Sequence, residues 1–211
     1  MYNGLMDIAI EDFIIKVPTD YQQMRSLPGD PAGSLSFMKQ TSEAACLAMY
    51  SGIASAQAMP FNSKDEVVAG IHKALAADQG LIEVQSGITT SGKKYIYSIV
   101  KTVNRGSIGV QYSLTLHIGY FAEHVFQTQA FFDETGYTGG RDASVFAILQ
   151  NEGKITVDGQ NISGWMEDPY DPEYKNGILM NMGEKEEYDE AFPNHPLTQA
   201  RQLAKNLVIM N

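Results

Sequence analysis

The sequence predicts an α+β fold: an antiparallel β-sheet with helices packed on it, then an irregular C-terminal extension ending in a helix. Three observations carry this. Ile108, Val110, Tyr112, Leu114, Leu116 and Ile118 alternate with Gly109, Gln111, Ser113, Thr115 and His117, the period-two pattern of a long strand with one buried and one polar face. Residues 94–103 and 124–132, rich in β-branched and aromatic side chains, flank that strand, and Asn104-Arg105-Gly106 supplies a turn, so a three-stranded antiparallel meander forms the centre. Ser63-Lys64-Asp65-Glu66 has the form of a capping box, with Val67, Val68, Ile71, Ala74 and Leu75 following at helical spacing, so one helix at least packs on the strands.

The remaining elements follow in order. Residues 13–17 read as a short strand stopped by Pro18. Pro28-Gly29-Asp30-Pro31-Ala32-Gly33 makes an irregular loop. Leu35 and Phe37 alternate with Ser34 and Ser36 in a second strand, and the apolar run 44–54 is a third. The capped helix spans 63–79, with Gly80 fitted to its end. Residues 81–88 form a strand with Ile82, Val84 and Ile88 on one face, and Thr90-Ser91-Gly92-Lys93 turns into the meander. After Gly136, Gly139 and Gly140, a second helix runs from about Arg141 to Gln150, burying Val145, Phe146, Ile148 and Leu149, with Gly153 at its end. Regular structure is hard to find from 154 to 194, although Val157-Asp158-Gly159-Gln160 suits a turn. Pro196 then opens a last helix whose apolar stripe is Leu197, Ala200, Ala204 and Leu207. The division is thus an antiparallel α+β domain over 1–153 and an acidic extension over 154–211 packed on the same domain.

With 211 residues, 44% of them hydrophobic, the chain is long enough for one large domain with a proper core. No apolar run reaches the roughly 20 residues that cross a bilayer. Residues 1–12 lack the basic flank and apolar segment of a secretory signal. The single cysteine, Cys46, has no internal disulfide partner, so the cytoplasm is the expected compartment. A formal charge of −10 repels a phosphate backbone and argues against nucleic acid as a partner. Residues 166–190 hold nine acids and two lysines, so most of the charge lies in the C-terminal quarter.

The element order carries a resemblance. A strand ending in proline (Phe13-Ile14-Ile15-Lys16-Val17-Pro18) comes first, and the capped helix from Ser63 precedes a four-stranded run. A helix opening after Thr138-Gly139-Gly140-Arg141 closes it. Over about residues 10–152 this pattern resembles the PsbP/DcrB-like superfamily. That superfamily includes the extrinsic PsbP subunit of photosystem II, a nuclear-transport factor binding the Ran GTPase, and small bacterial proteins of unknown role. The resemblance implies an α/β/α sandwich that works mostly as a non-catalytic binding module. It carries over no functional residue.

Several groups are candidates for chemistry. Cys46 lies in an apolar run, where a thiol behaves as a small buried hydrophobe. His117, Glu123 and His124 would approach one another if 119–122 is a turn, and two imidazoles with a carboxylate suit zinc or proton sharing; the faces they take depend on the register, and half-exposed strand histidines are the commoner reading. The acids of Glu167-Asp168-Pro169-Tyr170-Asp171-Pro172-Glu173 offer oxygen ligands without the spacing of a calcium loop. Gly139, Gly140 and Arg141 open a helix after a strand and suit an anion, or are turn and cap residues alone. Trp165, Tyr170 and Tyr174, with Glu184, Glu186 and Glu187, read as an interaction surface, since aromatics are enriched at interfaces. No cofactor motif is present.

The expected function is a non-catalytic protein-binding or structural module. Its partner would be another protein, best a basic one, with neither nucleic acid nor membrane involved. Two alternatives stand: a metal-dependent or hydrolytic enzyme using His117, Glu123 and His124, and a small-ligand carrier at the Gly139/Gly140 helix start.

Overall fold

The alternating segments pair as antiparallel strands. The computed structural model describes residues 4–10, 13–26, 28–103, 109–121 and 123–211. The predicted turn Asn104-Arg105-Gly106, and Ile108 at the head of the central strand, lie outside the described residues. Strands β1 (Leu5–Ile10) and β2 (Phe13–Pro18) form a hairpin of their own, the first of them not foreseen. The main sheet takes β3 (Gln22–Gln23), β4 (Leu35–Gln40), β5 (Ala44–Ala54), β6 (Gln79–Ile88), β7 (Lys94–Val103), β8 (Val110–Phe121) and β9 (His124–Glu134). Its order is β3-β4-β5-β9-β8-β7-β6, antiparallel throughout.

The pleat sorts side chains onto two faces. On one, Phe37, Tyr50, Leu114, Leu116, Phe126 and Phe132 are fully or almost fully buried. Helix α3 (Pro196–Met210) and the β1–β2 hairpin cover that face, so Leu197, Ala200, Leu203, Ala204 and Leu207 join the main core. Each large side chain buried this way is worth about 1.5–3 kcal/mol over exposure. On the other face, helix α1 (Lys64–Ala74) covers only the β6–β7 end, packing Val67 and Val68 against Leu81, Val84 and Ile96.

Helix α1 starts as predicted: the Ser63 side chain accepts the Glu66 N–H at 3.2 Å. It ends at Ala74, well short of Gly80. Gly80 belongs to β6 and serves another purpose. A Cβ there would lie 1.7 Å from the Ile178 carbonyl oxygen, so the missing side chain lets the C-terminal segment lie against the strand. A bulge between Leu81 and Glu83 also alters β6. Ile82 packs into the main core while Val84 packs under α1, and Ile88 is 68% exposed, so these three do not share a face. The bulge turns Glu83 toward α3.

Helix α2 (Gly140–Asn151) follows β9. The segment after it holds more order than its composition suggests. Strands β10 (Thr156–Asp158) and β11 (Asn161–Ser163) make a hairpin around the predicted turn, and β12 (Met166–Glu167) pairs with β13 (Met180–Asn181). Val145, Leu149 and Ile155 form a satellite core, with Phe146, Trp165, Met182, Tyr188 and Phe192 against it.

Candidate functional site

The C-terminal quarter is acidic in composition, yet its key carboxylates point inward. Glu184 is 1% exposed. It accepts hydrogen bonds from Lys101 Nζ at 2.7 Å, Tyr112 OH at 2.9 Å and its neighbour Asn181 N–H at 2.7 Å. Asp189 accepts from Arg141 and Arg201, both at 3.0 Å. Glu83 accepts from Arg201 Nε and from Tyr97 OH, both at 2.7 Å. Arg201 also donates to the Glu184 carbonyl at 2.8 Å. Three cations therefore meet three carboxylates, and β6, β7, β8, α2 and α3 are joined to the tail. Asp142 is the surplus acid. Burial, and then the Glu184 charge, raise its carboxyl to about 6.

This network reassigns much of the predicted interaction surface. Glu184 is interior, so it presents no charge to a partner. Trp165 meets Phe146 edge-on at 5.1 Å in the satellite core. The Tyr170 hydroxyl accepts the Val84 N–H at 2.5 Å and donates to the Val84 carbonyl at 3.2 Å, closing backbone groups of β6, an edge strand. Tyr174 stacks on His72, centroids 4.0 Å apart, and His72 Nε2 lies 3.0 Å from Asp168 Oδ2. The other Asp168 oxygen accepts the Tyr170 and Asp171 N–H groups. The acidic loop is thus a staple across α1 and β6. Glu186 and Glu187 remain exposed, Glu186 paired with Lys205.

The histidines are not brought together. His117, 2% exposed, accepts the Met59 N–H through Nδ1 at 2.7 Å and pairs in register with Ile96 and Gln127. His124 pairs with Ala54 and Phe121, and both Glu123 and His124 are exposed. Burial lowers the His117 pKa to about 4, keeping the ring neutral. His117 lies opposite Gln127, three residues along β9 from His124, so the pleat turns the two rings to opposite faces of the sheet. Among the described residues no cluster of three or more His, Cys, Asp or Glu side chains could hold a metal. Cys46 is buried, donates to Tyr21 OH at 3.5 Å, and has its thiol pushed up to about 12 by burial.

The helix start at Gly139, Gly140 and Arg141 has a different polarity from the one expected. The Gly139 N–H already donates to Glu134 Oε1 at 2.7 Å. Arg141, 2% exposed, spends its guanidinium on Asp189, Thr198 and the Gly183 and Lys185 carbonyls. A cavity of about 330 Å³ opens beside them, with Glu43 and Glu134 in its wall. Two carboxylates disfavour an anion there.

The sequence reading missed a surface on the main sheet. Away from α1, the second face of β4, β5, β9 and the adjoining part of β8 carries Met38, Leu47, Met49, Phe131, Gln129, Thr115 and Ser113. Register aligns Met38, Leu47, Phe131 and Ser113 in one row across the four strands, and Ser36, Met49, Gln129 and Thr115 in the next. Met38 is 40% and Leu47 39% exposed. Among the described residues the one carboxylate on this half-face is Asp133, at its margin, bonded to Gln111 at 2.7 Å. The signal in the sequence was the weak polarity of the odd positions from 45 to 53 and from 125 to 131, apolar, hydroxyl or amide rather than charged.

No protein-family model matches this chain, and no curated protein matches it. Among solved structures it resembles the Pseudomonas aeruginosa protein PA94, described as a candidate regulator of unknown function, at 11% identity. The match has a TM-score of 0.37 and covers 75% of this chain and 100% of that one. No helix among the described residues is long and apolar enough to cross a membrane.

Proposed function

We propose that this chain is a non-catalytic, cytoplasmic protein-binding module with a distant kinship to the PsbP/DcrB-like superfamily, and that the bare half-face of its sheet is the binding surface. One observation carries the reading. Among the described residues no helix packs on the part of the sheet face that carries the row from Met38 through Leu47 to Phe131, and Asp133 is the one charged side chain beside it. Apolar side chains rimmed by neutral polar ones suit an interface core. The partner surface is accordingly neutral and partly apolar at its centre. The exposed acids elsewhere on a chain of net charge −10 favour a partner with basic outlying regions, through faster encounter rather than tighter contact.

The test uses the methionines as probes. Proteins co-purifying with the wild-type chain from its host are compared with those held by Leu47→Glu. The expected result is loss of a specific partner, and that partner, once purified, shifts the methyl signals of Met38 and Met49 but not of Met210. Sedimentation at rising concentration shows whether the partner is a second copy. A partner retained at equal affinity by Leu47→Glu overturns the assignment. A second reading, a small-ligand site at the start of α2, is favoured by the cavity there.

A further inference from the structure

We propose that the cavity at the start of α2 binds an organic cation, an alkylammonium or guanidinium group. This goes beyond the binding face and does not depend on it. Glu43 and Glu134 line the cavity, and Glu134 commits only Oε1 to the Gly139 N–H. Arg141, the one cationic residue in the wall among the described residues, is engaged with Asp189 and backbone carbonyls of the tail. Arg141 is paired with Asp189, so the two glutamates are the uncompensated charges of the wall.

Two aromatic rings complete the wall, Tyr137 and Phe192; Arg141 already lies over the Phe192 ring at 5.9 Å, so Tyr137 is the ring left to a ligand. Tyr137 is 83% exposed, yet its ring rests on Gly140, where a Cβ would lie 3.1 Å from the ring carbons. Glycine at 140 thus seats a ring that otherwise has little to hold it. Carboxylates beside aromatic faces are the surroundings that attract alkylammonium groups.

His195 supplies an independent pointer to a ligand. It is 5% exposed and lines the cavity. Its Nδ1 accepts the Leu197 N–H at 3.3 Å, which places the proton on Nε2. Among the described residues that Nε2–H has no hydrogen-bond acceptor. Burial and the nearby Arg141 and Arg201 lower its pKa to about 3, so the ring is neutral and does not repel a cation. A ligand with a cationic end and an oxygen acceptor satisfies both parts of the wall. A lysine or arginine residue of a partner polypeptide has this pairing through its backbone carbonyl; a free amine has the cation alone.

NMR titration of the full chain tests this with three probes: n-butylammonium, N-acetyl-lysine-N-methylamide and butyrate. Both cations are expected to shift the amides of Gly139, Gly140, Ala143 and Ser144 saturably, and butyrate is not. The double variant Glu43→Gln, Glu134→Gln keeps the acceptor for Gly139 and should weaken cation binding by about 10-fold. Tyr137→Ala, too exposed to disturb folding, should weaken it by about 2- to 5-fold. If the lysine amide binds tighter than butylammonium and moves the His195 Nε2–H signal, the cation comes from a polypeptide. Equal affinities identify a free amine. The proposal is overturned if neither cation shifts these signals, if butyrate shifts them as strongly, or if both variants bind the cations unchanged.

Discussion

Leu114 and Arg201 are both interior, at 0% and 3% exposure, but they are buried by different means. Leu114 lies at the middle of the sheet among other apolar side chains. Arg201 lies where α3 meets the tail, between Glu83 and Asp189. The sheet region is held by area removed from water and tolerates some change of shape. The tail region is held by charges whose desolvation is offset only while every partner is present. The two regions should therefore fail differently, and the contrast between them can be measured.

The largest effect is expected at Arg201. Arg201→Met keeps volume but leaves Glu83 with Tyr97 alone and takes one of two cations from Asp189. Breaking a buried ion pair in this way should cost about 3–5 kcal/mol in denaturant titrations. Adding Glu83→Gln should restore part of the loss, since it removes the unpaired charge. A cost under about 1 kcal/mol would mean the network is exchanged for water at little expense.

Leu114→Ala comes next, at about 2–5 kcal/mol from lost transfer energy and the cavity left behind. Its neighbour Thr115 points to the bare face and is only half-buried, so Thr115→Ala should cost far less. Equal losses would put the register in doubt, and with it the row of Met38, Leu47 and Phe131.

The same contrast explains what was legible beforehand. Alternation announced β8, and the Leu197, Ala200, Ala204 and Leu207 stripe announced α3, because apolar burial leaves a periodic trace. Glu184 left no such trace. A glutamate in an acidic stretch reads as solvated, and only the fold shows Lys101 and Tyr112 arriving from distant strands. Helix α1 was overextended because Gly80 looked like a helix end, whereas its role is a backbone approach 98 residues away in sequence, at Ile178. The sequence places a helix start at Gly139 and Gly140, where α2 begins, but the charge around it depends on Glu43, brought in by the strand pairing of β5 with β9. The bare face was the hardest to see, since whether a strand's second face is covered is a property of the assembled layers.

Acid tests the sheet region by a third route. His117 is neutral in the fold, with a pKa lowered from 6.5 to about 4 by burial. Between those values the unfolded chain binds a proton that the folded one does not, so stability falls as pH falls from 6.5 to about 4 and is fully present above 6.5. The linked loss is about 3 kcal/mol. Asp142 acts in the opposite sense: its carboxyl is raised from 3.8 to about 6, so the folded state binds the extra proton and gains stability as pH falls through that window. Comparing wild type with His117→Asn cancels the Asp142 contribution. The variant should show a shallower loss of unfolding free energy between pH 7 and pH 4; identical slopes would mean that His117 is hydrated through Nε2, which has no hydrogen-bond partner among the described residues.

The smallest effect should come from the exposed part of the tail, and it bounds how much of the acidic charge matters to folding. Glu186 pairs with Lys205 across the surface, and both side chains are about half exposed. The hydrogen bond from Lys205 holds the Glu186 carboxyl below its usual range, with burial working slightly against it. Water screens such a pair, and the two long side chains lose freedom in forming it, so Glu186→Gln should cost at most about 0.5 kcal/mol. The cost should shrink further as salt is raised, because exposed pairs are screened over about 10 Å at 0.1 M. Arg201→Met, only one turn of α3 away, should lose little of its cost in the same salt series, since its partners are sheltered from ions. If both variants respond to salt alike, the charges beneath α3 are wetter than their burial implies, and the contrast between a solvated rim and a sealed network collapses.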